Sequence, residues 1–471
     1  MISRILLVEA ALMMLPMAVA LIYGESIVCF LIPIVLLALI GGIGVRLLHT
    51  DAKIYSREGF VIVALSWIFM SVAGCLPFMI SGYIPSFADA FFETVSGFTT
   101  TGASILTDIE ALPQGLLFWR SFTHWVGGMG VLVFVMAILP LSNIRSVHIM
   151  RAEVPGPTKS KLVPRMKNTA SLLYKIYIVL TLVEIILLVL GGMPLYDALI
   201  TAFGTAGTGG FSNRALSIGA YQSAYIDIVV GIFMLLFGVN FNLYYLILIG
   251  EVKNALKSEE LRWYLGFVAV STVAIALNIM SMYNGFIESL RYSFFQVSSI
   301  ITTTGFSTAD FNTWPSLSKV ILLILMVVGG CAGSTGGGVK VSRIIIACKS
   351  IVREMRRLLH PRAVQPVKID GCAIEKKDAH ATMIYLVAFF FLCLSLFLIV
   401  CCDGYDLVTS GTAVLACVSN IGPGLEMVGP MGSFAAFSAP VKIALSFGML
   451  LGRLEIFPIM MLFVPSTWRR T

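Results

Sequence analysis

Apolar runs long enough to cross a bilayer recur along this chain, and they constrain its fold more than any other feature. They cover about residues 4–23, 27–48, 59–81, 116–140, 169–191, 222–249, 261–282, 318–347, 379–402 and 437–464. A helix needs roughly 20 predominantly apolar residues to span. A soluble domain would have to cover such runs with charge, and typically about 25% of its residues are charged. Here 12% are charged and 58% are hydrophobic. The expected class is an all-α polytopic membrane protein. Residues 4–23 also admit a cleaved signal peptide, but they carry Glu9 and lack a convincing small-residue cleavage site, so they are taken as a membrane helix. The run at 318–347 is interrupted by glycine and polar residues. The nine cysteines and five histidines are scattered. They form neither a metal-ligand spacing nor a disulfide framework.

Lys and Arg set the orientation of such a protein. Most lie in the segments Arg46–Arg57, Arg145–Lys167, Lys253–Arg262 and Lys340–Lys377, with Arg4 and the Arg469–Arg470 end. The loops at 82–115, 192–221, 283–317 and 403–436 hold only Arg214 and Arg291. The two kinds of loop alternate, which places both termini in the cytoplasm of a multi-pass protein. The net charge of +7 then follows from topology, so no nucleic-acid partner is expected, and membrane lipid is the surroundings. No soluble domain of useful size remains.

The four Lys/Arg-poor loops share a plan: a short apolar run, then a polar stretch closing on a glycine. "FFETVSGFTTTGAS" (91–104) is nearly repeated by "FFQVSSIITTTGFS" (294–307), while "AGTGGFS" surrounds Gly210 and "VSNIGPG" surrounds Gly422. Asp89 and Asp197 stand equally far before their glycines. Repeats of this size define an architecture. Two N-terminal helices (1–58) precede four units of helix, half-helix, polar loop and helix, at 59–142, 169–250, 261–358 and 379–464, expected around a pseudo-fourfold axis.

Backbone that leaves helix form inside a bilayer must be buried in protein or line water. The run before each glycine is too short to span and suits a re-entrant half-helix, whose C-terminal end carries partial negative charge. Four such ends around an axis would hold a cation. Glycine lets the returning chain adopt backbone angles that other residues avoid. Successive carbonyls can then form rings that replace an ion's hydration shell. The expected filter residues are Thr100, Thr101, Gly102 and Ala103; Thr208, Gly209, Gly210 and Phe211; Thr303, Thr304, Gly305 and Phe306; and Asn420, Ile421, Gly422 and Pro423. Carbonyls without a carboxylate ring favour a monovalent over a divalent cation. Glu426 and Asp108 are candidate cation attractors at the outer mouth, or solvated loop charges.

These residues resemble the Trk/Ktr/HKT superfamily of potassium-uptake proteins, in its bacterial TrkH type. The resemblance spans essentially the whole chain, including "FWRSFTHWVGGMG" (118–130) and "MRAEVPGPTKSKLVPR" (150–165). It implies K⁺ as the transported ion, no cofactor, the inner membrane of a bacterium, a homodimer, and a cytosolic nucleotide-binding regulatory ring of the TrkA type. In that family, glycine in all four loops goes with K⁺ preference. Loop four departs most, with Asn420 and Ile421 before its glycine.

Two further features suggest a gate. "GGCAGSTGGGVK" (329–340) fails the phosphate-loop spacing and lies in an apolar run. Its Gly329, Gly330, Gly333, Ser334, Thr335, Gly336, Gly337, Gly338 and Lys340 suit an irregular segment lining a water-filled path, and the resemblance implies a loop that obstructs the pore. Arg453 lies within the last apolar run, where a charge is costly and usually functional. Its guanidinium is expected to face the pore beneath the filter, where it could repel cations or hydrogen-bond the carbonyls of the loop at 329–338, with pairing to Glu455 or a place at the inner membrane edge as alternatives. The competing functions are a membrane-embedded enzyme such as a lipid-linked transferase, for which no cluster of catalytic acids, histidines or metal ligands is visible, and a non-conducting scaffold, which would not need four matched polar loops.

Overall fold

A computed structural model describes residues 1–47, 56–128, 130, 166–361 and 365–468. The second half of the run expected at 116–140, the segment 150–165 and the Arg469–Arg470 end lie outside the described residues. The fold is helical. Two N-terminal spans, Ile2–Ile22 and Val28–Leu47, precede four units. Their first helices include Glu58–Ile80, Met166–Leu190, Glu259–Ile279 and Lys376–Val400. Their half-helices are Phe87–Phe98, Leu195–Gly207, Phe286–Ile301 and Leu407–Val418. Their returning helices are Gln114–Gly128, Ala224–Phe237, Ser316–Val328 and Ala439–Arg453.

Burial is inverted relative to a soluble protein. The half-helices, rich in Ser and Thr, are enclosed: Ser96, Thr99, Ser298, Ser299 and Ser419 are fully buried. The flanking helices turn large apolar side chains outward, such as Phe390 and Phe391 on Lys376–Val400 and Leu190 on Met166–Leu190. An apolar exterior around a polar centre is stable in lipid, where only an internally satisfied backbone survives.

Polar links join the units in cyclic order. Arg120 of unit one donates to the Ser212 carbonyl of unit two at 2.9 Å, and Arg291 of unit three meets Asp227 of unit two at 3.5 Å. Asn312 of unit three exchanges two hydrogen bonds with the Glu426 backbone of unit four. Lys442 of unit four closes the ring on Asp89 of unit one at 2.6 Å.

Two apolar runs expected to be continuous are instead folded, and a third breaks where its glycines predict. The run at 222–249 bends by 90° between Ala224–Phe237 and Phe241–Leu248, where Asn240 caps the second piece by accepting from the Asn242 N–H. The run at 318–347 stops at Val328, and a second helix, Val341–Leu359, outruns its expected end. The run at 437–464 turns by 119° after Arg453. Glu455 and Ile456 both take positive φ there, +59° and +65°, so Arg453 ends a helix rather than sitting within one. Among the described residues the only strands are Lys368–Ile369 and Cys372–Ala373, a hairpin in the basic segment.

Candidate functional site: four glycine loops around one axis

Each half-helix ends the same way. The second residue before the glycine is left-handed: Thr100 at φ +55°, Thr208 at +54°, Thr303 at +60° and Asn420 at +55°. The next N–H bonds back across the helix end, from Thr101 to Ser96 O (2.9 Å), Gly209 to Gly204 O (2.8 Å), Thr304 to Ser299 O (2.8 Å) and Ile421 to Ala416 O (2.9 Å). This is a Schellman ending, which usually places glycine at the left-handed position. A non-glycine residue there costs roughly 1–2 kcal/mol, and for β-branched threonine the conformation is a real outlier. Strain repeated in all four loops points to function rather than accident. The Asn420 ending also brings loop four into the pattern that its sequence only loosely suggested.

The glycines Gly102, Gly210, Gly305 and Gly422 follow at φ +80°, +77°, +86° and +97°. Each abuts a carbonyl of the next loop. A Cβ on Gly102 would overlap the Gly209 oxygen, one on Gly210 the Thr304 oxygen, and one on Gly305 the Ile421 oxygen. On Gly422 it would stand 2.7 Å from the Thr101 oxygen. The contacts run one to two, two to three, three to four and four to one, so the loops form a closed ring with no room for side chains at the glycines. All four glycines, with Ala103, Phe211 and Pro423, line one mouth. Phe306 is turned away, packed behind Gly204.

The walls are braced from behind. Thr99 and Thr101 hydroxyls bond at 2.8 Å, and Thr302 and Thr304 repeat this at 2.8 Å. Asn420 Nδ2 donates to Thr101 Oγ1 at 2.9 Å, tying loop four to loop one. Ser299 Oγ donates to the Phe306 carbonyl at 2.6 Å. Between loops one and two stands a buried ion pair, Arg120 Nε to Glu93 Oε1 at 2.5 Å. The Glu93 carboxylate also accepts from Ser104 Oγ and the Ile105 N–H, each at 3.0 Å, and the guanidinium stacks 3.5 Å over Phe211. His124 Nδ1 lies 2.8 Å from the Gly97 carbonyl, and its ring packs against Phe211. None of these three was singled out from sequence.

Breaking a buried pair on one side costs roughly 3–5 kcal/mol, because a charge is left unmatched. Arg120→Ala is therefore expected to lower the unfolding temperature in detergent more than Glu93→Ala/Arg120→Ala does, as measured by fluorescence-detected size exclusion after heating. An equal or larger loss in the double variant would show that the pair does not brace the loops.

The segment 329–340 lies against the ends of the third and fourth half-helices. The Gly337 N–H donates to Thr303 Oγ1 at 2.5 Å, and the Gly338 N–H to the Ser419 carbonyl at 2.9 Å. On its other side it docks into the bend of unit two: Cys331 N–H to Gly238 O at 2.9 Å, Phe241 N–H to Gly333 O at 3.0 Å, and Thr335 Oγ1 to Phe237 O at 3.2 Å. Ser334 Oγ donates to Cys331 O at 2.7 Å. Gly329 and Gly338 pack on each other, and Gly330 accepts from the Val341 N–H. Lys340 is buried at φ +81° and donates to the Gly336 carbonyl. Arg453 donates from Nη1 to Thr335 O at 2.7 Å and from Nη2 to Gly127 O and Gly128 O at 2.6 and 3.1 Å. The Glu455 carboxylate lies on Arg343 at 2.8 Å.

The two acids expected near the mouth stand beside its lining residues Thr107, Ile109 and Val428 and make local contacts there. Asp108 accepts from the Glu110 N–H within its own loop, and Glu426 reaches toward Lys319 at 3.9 Å. Arg120 and Arg214 are among the lining residues. The repeated Asp89 and Asp197 instead anchor half-helix starts: Asp89 to Lys442, and Asp197 to Asn213 (2.6 Å) and Tyr221 (2.8 Å). Asp406, exposed before the fourth half-helix, is held below the usual carboxylate range by hydrogen bonds from Thr409.

A family model described as TrkH, cation transport protein, matches residues 28–470. The Trk system potassium uptake protein TrkH of Salmonella typhimurium is 38% identical over 423 residues, 88% of this chain and 87% of its own length. The Trk system potassium uptake protein TrkG of Escherichia coli is 35% identical over 467 residues, 97% and 95% of the two chains. The crystal structure of the potassium transporter TrkH from Vibrio parahaemolyticus matches with a TM-score of 0.88 at 33% identity, over 99% of this chain and 98% of that one.

Proposed function

Because this chain belongs to the TrkH family of cation transport proteins, we propose that it takes up K⁺ across the cytoplasmic membrane of a bacterium through the ring of its four glycine loops. It is a transport protein and not an enzyme. The observation that carries the reading is the cyclic contact of each loop glycine with a carbonyl of the next loop. Such a ring presents backbone oxygens to an ion and leaves out side chains, and carbonyl oxygens replace the hydration shell of a monovalent cation. The filter residues are Thr100 to Ala103, Thr208 to Phe211, Thr303 to Phe306 and Asn420 to Pro423, with each unit supplying one quarter.

The loop 329–340 and Arg453 form the barrier below. Arg453 bridges the loop to the end of Gln114–Gly128, and its positive charge near the ion path opposes a cation. The Lys/Arg distribution supports an orientation with both termini and the basic segment Lys340–Lys377 in the cytoplasm. That segment is the surface on which a cytosolic nucleotide-binding ring of the TrkA type would dock, and the resemblance supports a homodimer.

The test is ⁸⁶Rb⁺ uptake into liposomes loaded with KCl and containing the purified protein, with ²²Na⁺ as comparison. Rb⁺ uptake above that of empty liposomes, competed by external K⁺ more strongly than by Na⁺, is the expected result. Uptake equal to that of empty liposomes would overturn the proposal.

A further inference from the structure

The intramembrane loop is held at both ends by one carboxylate of another helix. Glu260, buried in the first turn of Glu259–Ile279, accepts from the Ala332 N–H at 2.7 Å and the Ser342 N–H at 3.1 Å, both through Oε1. Ala332 lies early in the loop. Ser342 is the second residue of Val341–Leu359, so its N–H is one of those a helix start leaves unpaired. A single oxygen thus fastens the entry of the loop to the helix that leaves it.

The neighbouring residue is tied to the hairpin. Glu259 pairs with Lys349 of Val341–Leu359 at 2.5 Å, and Lys349 Nζ donates to the Lys368 carbonyl at 2.7 Å. Asp370 accepts from the Glu259 N–H at 2.6 Å, capping the helix from outside. Asp370 and Gly371, at φ +50° and +78°, make the tight turn that a two-residue hairpin requires. Hairpin, helix start and loop ends therefore form one chain of contacts through two adjacent glutamates.

From this geometry we infer that Glu260 is the latch that keeps the intramembrane loop across the pore, and that the Lys368–Ala373 hairpin is the handle that sets it. The inference rests on the reading of 329–340 as the barrier. Moving the hairpin pulls on the Glu259 N–H and on Lys349, which shifts the first turn of Glu259–Ile279 and with it the oxygen that both loop ends share. A protein bound to the basic segment could open the loop in this way without touching it. Glu260 is a positioning residue, since it acts on the ion path only through the loop.

The experiment uses the full-length protein in liposomes. Glu260→Ala should raise basal ⁸⁶Rb⁺ uptake on the order of tenfold, as loss of the two hydrogen bonds to its oxygen predicts, with the Rb⁺/Na⁺ ratio unchanged. Glu260→Gln keeps the accepting oxygen and should stay close to wild type. Asp370→Ala with Lys349→Ala, on the exposed side of the chain of contacts, should raise uptake severalfold. A generally weakened fold would lower uptake or alter the ion ratio, so either result in Glu260→Ala overturns the latch. If Glu260→Ala does not insert, Glu260→Asp decides: its shorter reach keeps the charge but loses one end, and unchanged uptake overturns the inference. Wild-type protein that conducts while all of these variants match it refutes the latch and leaves the filter reading standing.

Discussion

Gly305→Ser is expected to abolish selective K⁺ uptake while leaving the protein inserted in the membrane. At φ +86° a side chain is already strained, and the added Cβ would overlap the Ile421 oxygen and press on Pro423 Cδ at 2.9 Å. Neither can retreat, since Ile421 and Pro423 belong to the adjoining wall of the same ring. One loop must therefore turn its carbonyls. Gly102→Ser and Gly210→Ser meet the same obstacle at Gly209 and Thr304, whereas Gly422→Ser has slightly more clearance, 2.7 Å to the Thr101 oxygen. The expected order of damage is Gly102, Gly210 and Gly305 together, with Gly422 mildest. A K⁺/Na⁺ preference resting on a few carbonyl positions falls tenfold for each 1.4 kcal/mol or so of lost discrimination. The check is the ratio of ⁸⁶Rb⁺ to ²²Na⁺ uptake, normalised to inserted protein. Wild-type ratios in both Gly102→Ser and Gly305→Ser would end the assignment of these loops as the filter.

Arg453→Ala is expected to increase K⁺ flux on the order of tenfold and to change selectivity little. Two unit charges about 4 Å apart interact by roughly 4 kcal/mol at an effective dielectric near 20. Screening by water and neighbours reduces that, yet about 1.4 kcal/mol on the limiting step already gives tenfold. The same substitution frees the Thr335 carbonyl, so it also loosens the loop. Arg453→Lys separates the two effects. The arginine spans its acceptors with two different nitrogens, Nη1 to Thr335 and Nη2 to Gly127 and Gly128. A lysine ammonium is a compact point charge without that fork, so it keeps the repulsion and loses the bridge. Flux in Arg453→Lys should fall between wild type and Arg453→Ala. Reduced uptake in Arg453→Ala, with insertion intact, would show that the arginine supports the fold rather than blocking the path.

Both predictions depend on features that were unequally visible in the chain. The spans, their alternation with basic loops and the fourfold repeat follow from sequence alone. Lipid selects apolar length, and Lys and Arg select a side, so both leave marks that need no tertiary partner. The loop glycines were legible for the same reason: positive φ is a local demand, and "TTTG" written twice announces it. The Asp370–Gly371 turn was equally legible and was passed over inside a segment noted only for its charge.

What only the tertiary structure decided is which groups meet. Hydropathy registers how apolar a run is and not where its backbone points, so the bends after Phe237 and Arg453 were invisible. The second lies between Gly452 and Pro458, but its direction is set by Glu455 and Ile456 held in positive φ. Glu93 and Arg120 lie 27 residues apart, and Glu260 lies 72 and 82 residues from its two donors. Each is an unremarkable acid or base in its own segment. Each becomes a brace or a latch because the helices of its unit fold back on one another, and that packing is a contact between distant parts of the chain that no local pattern records.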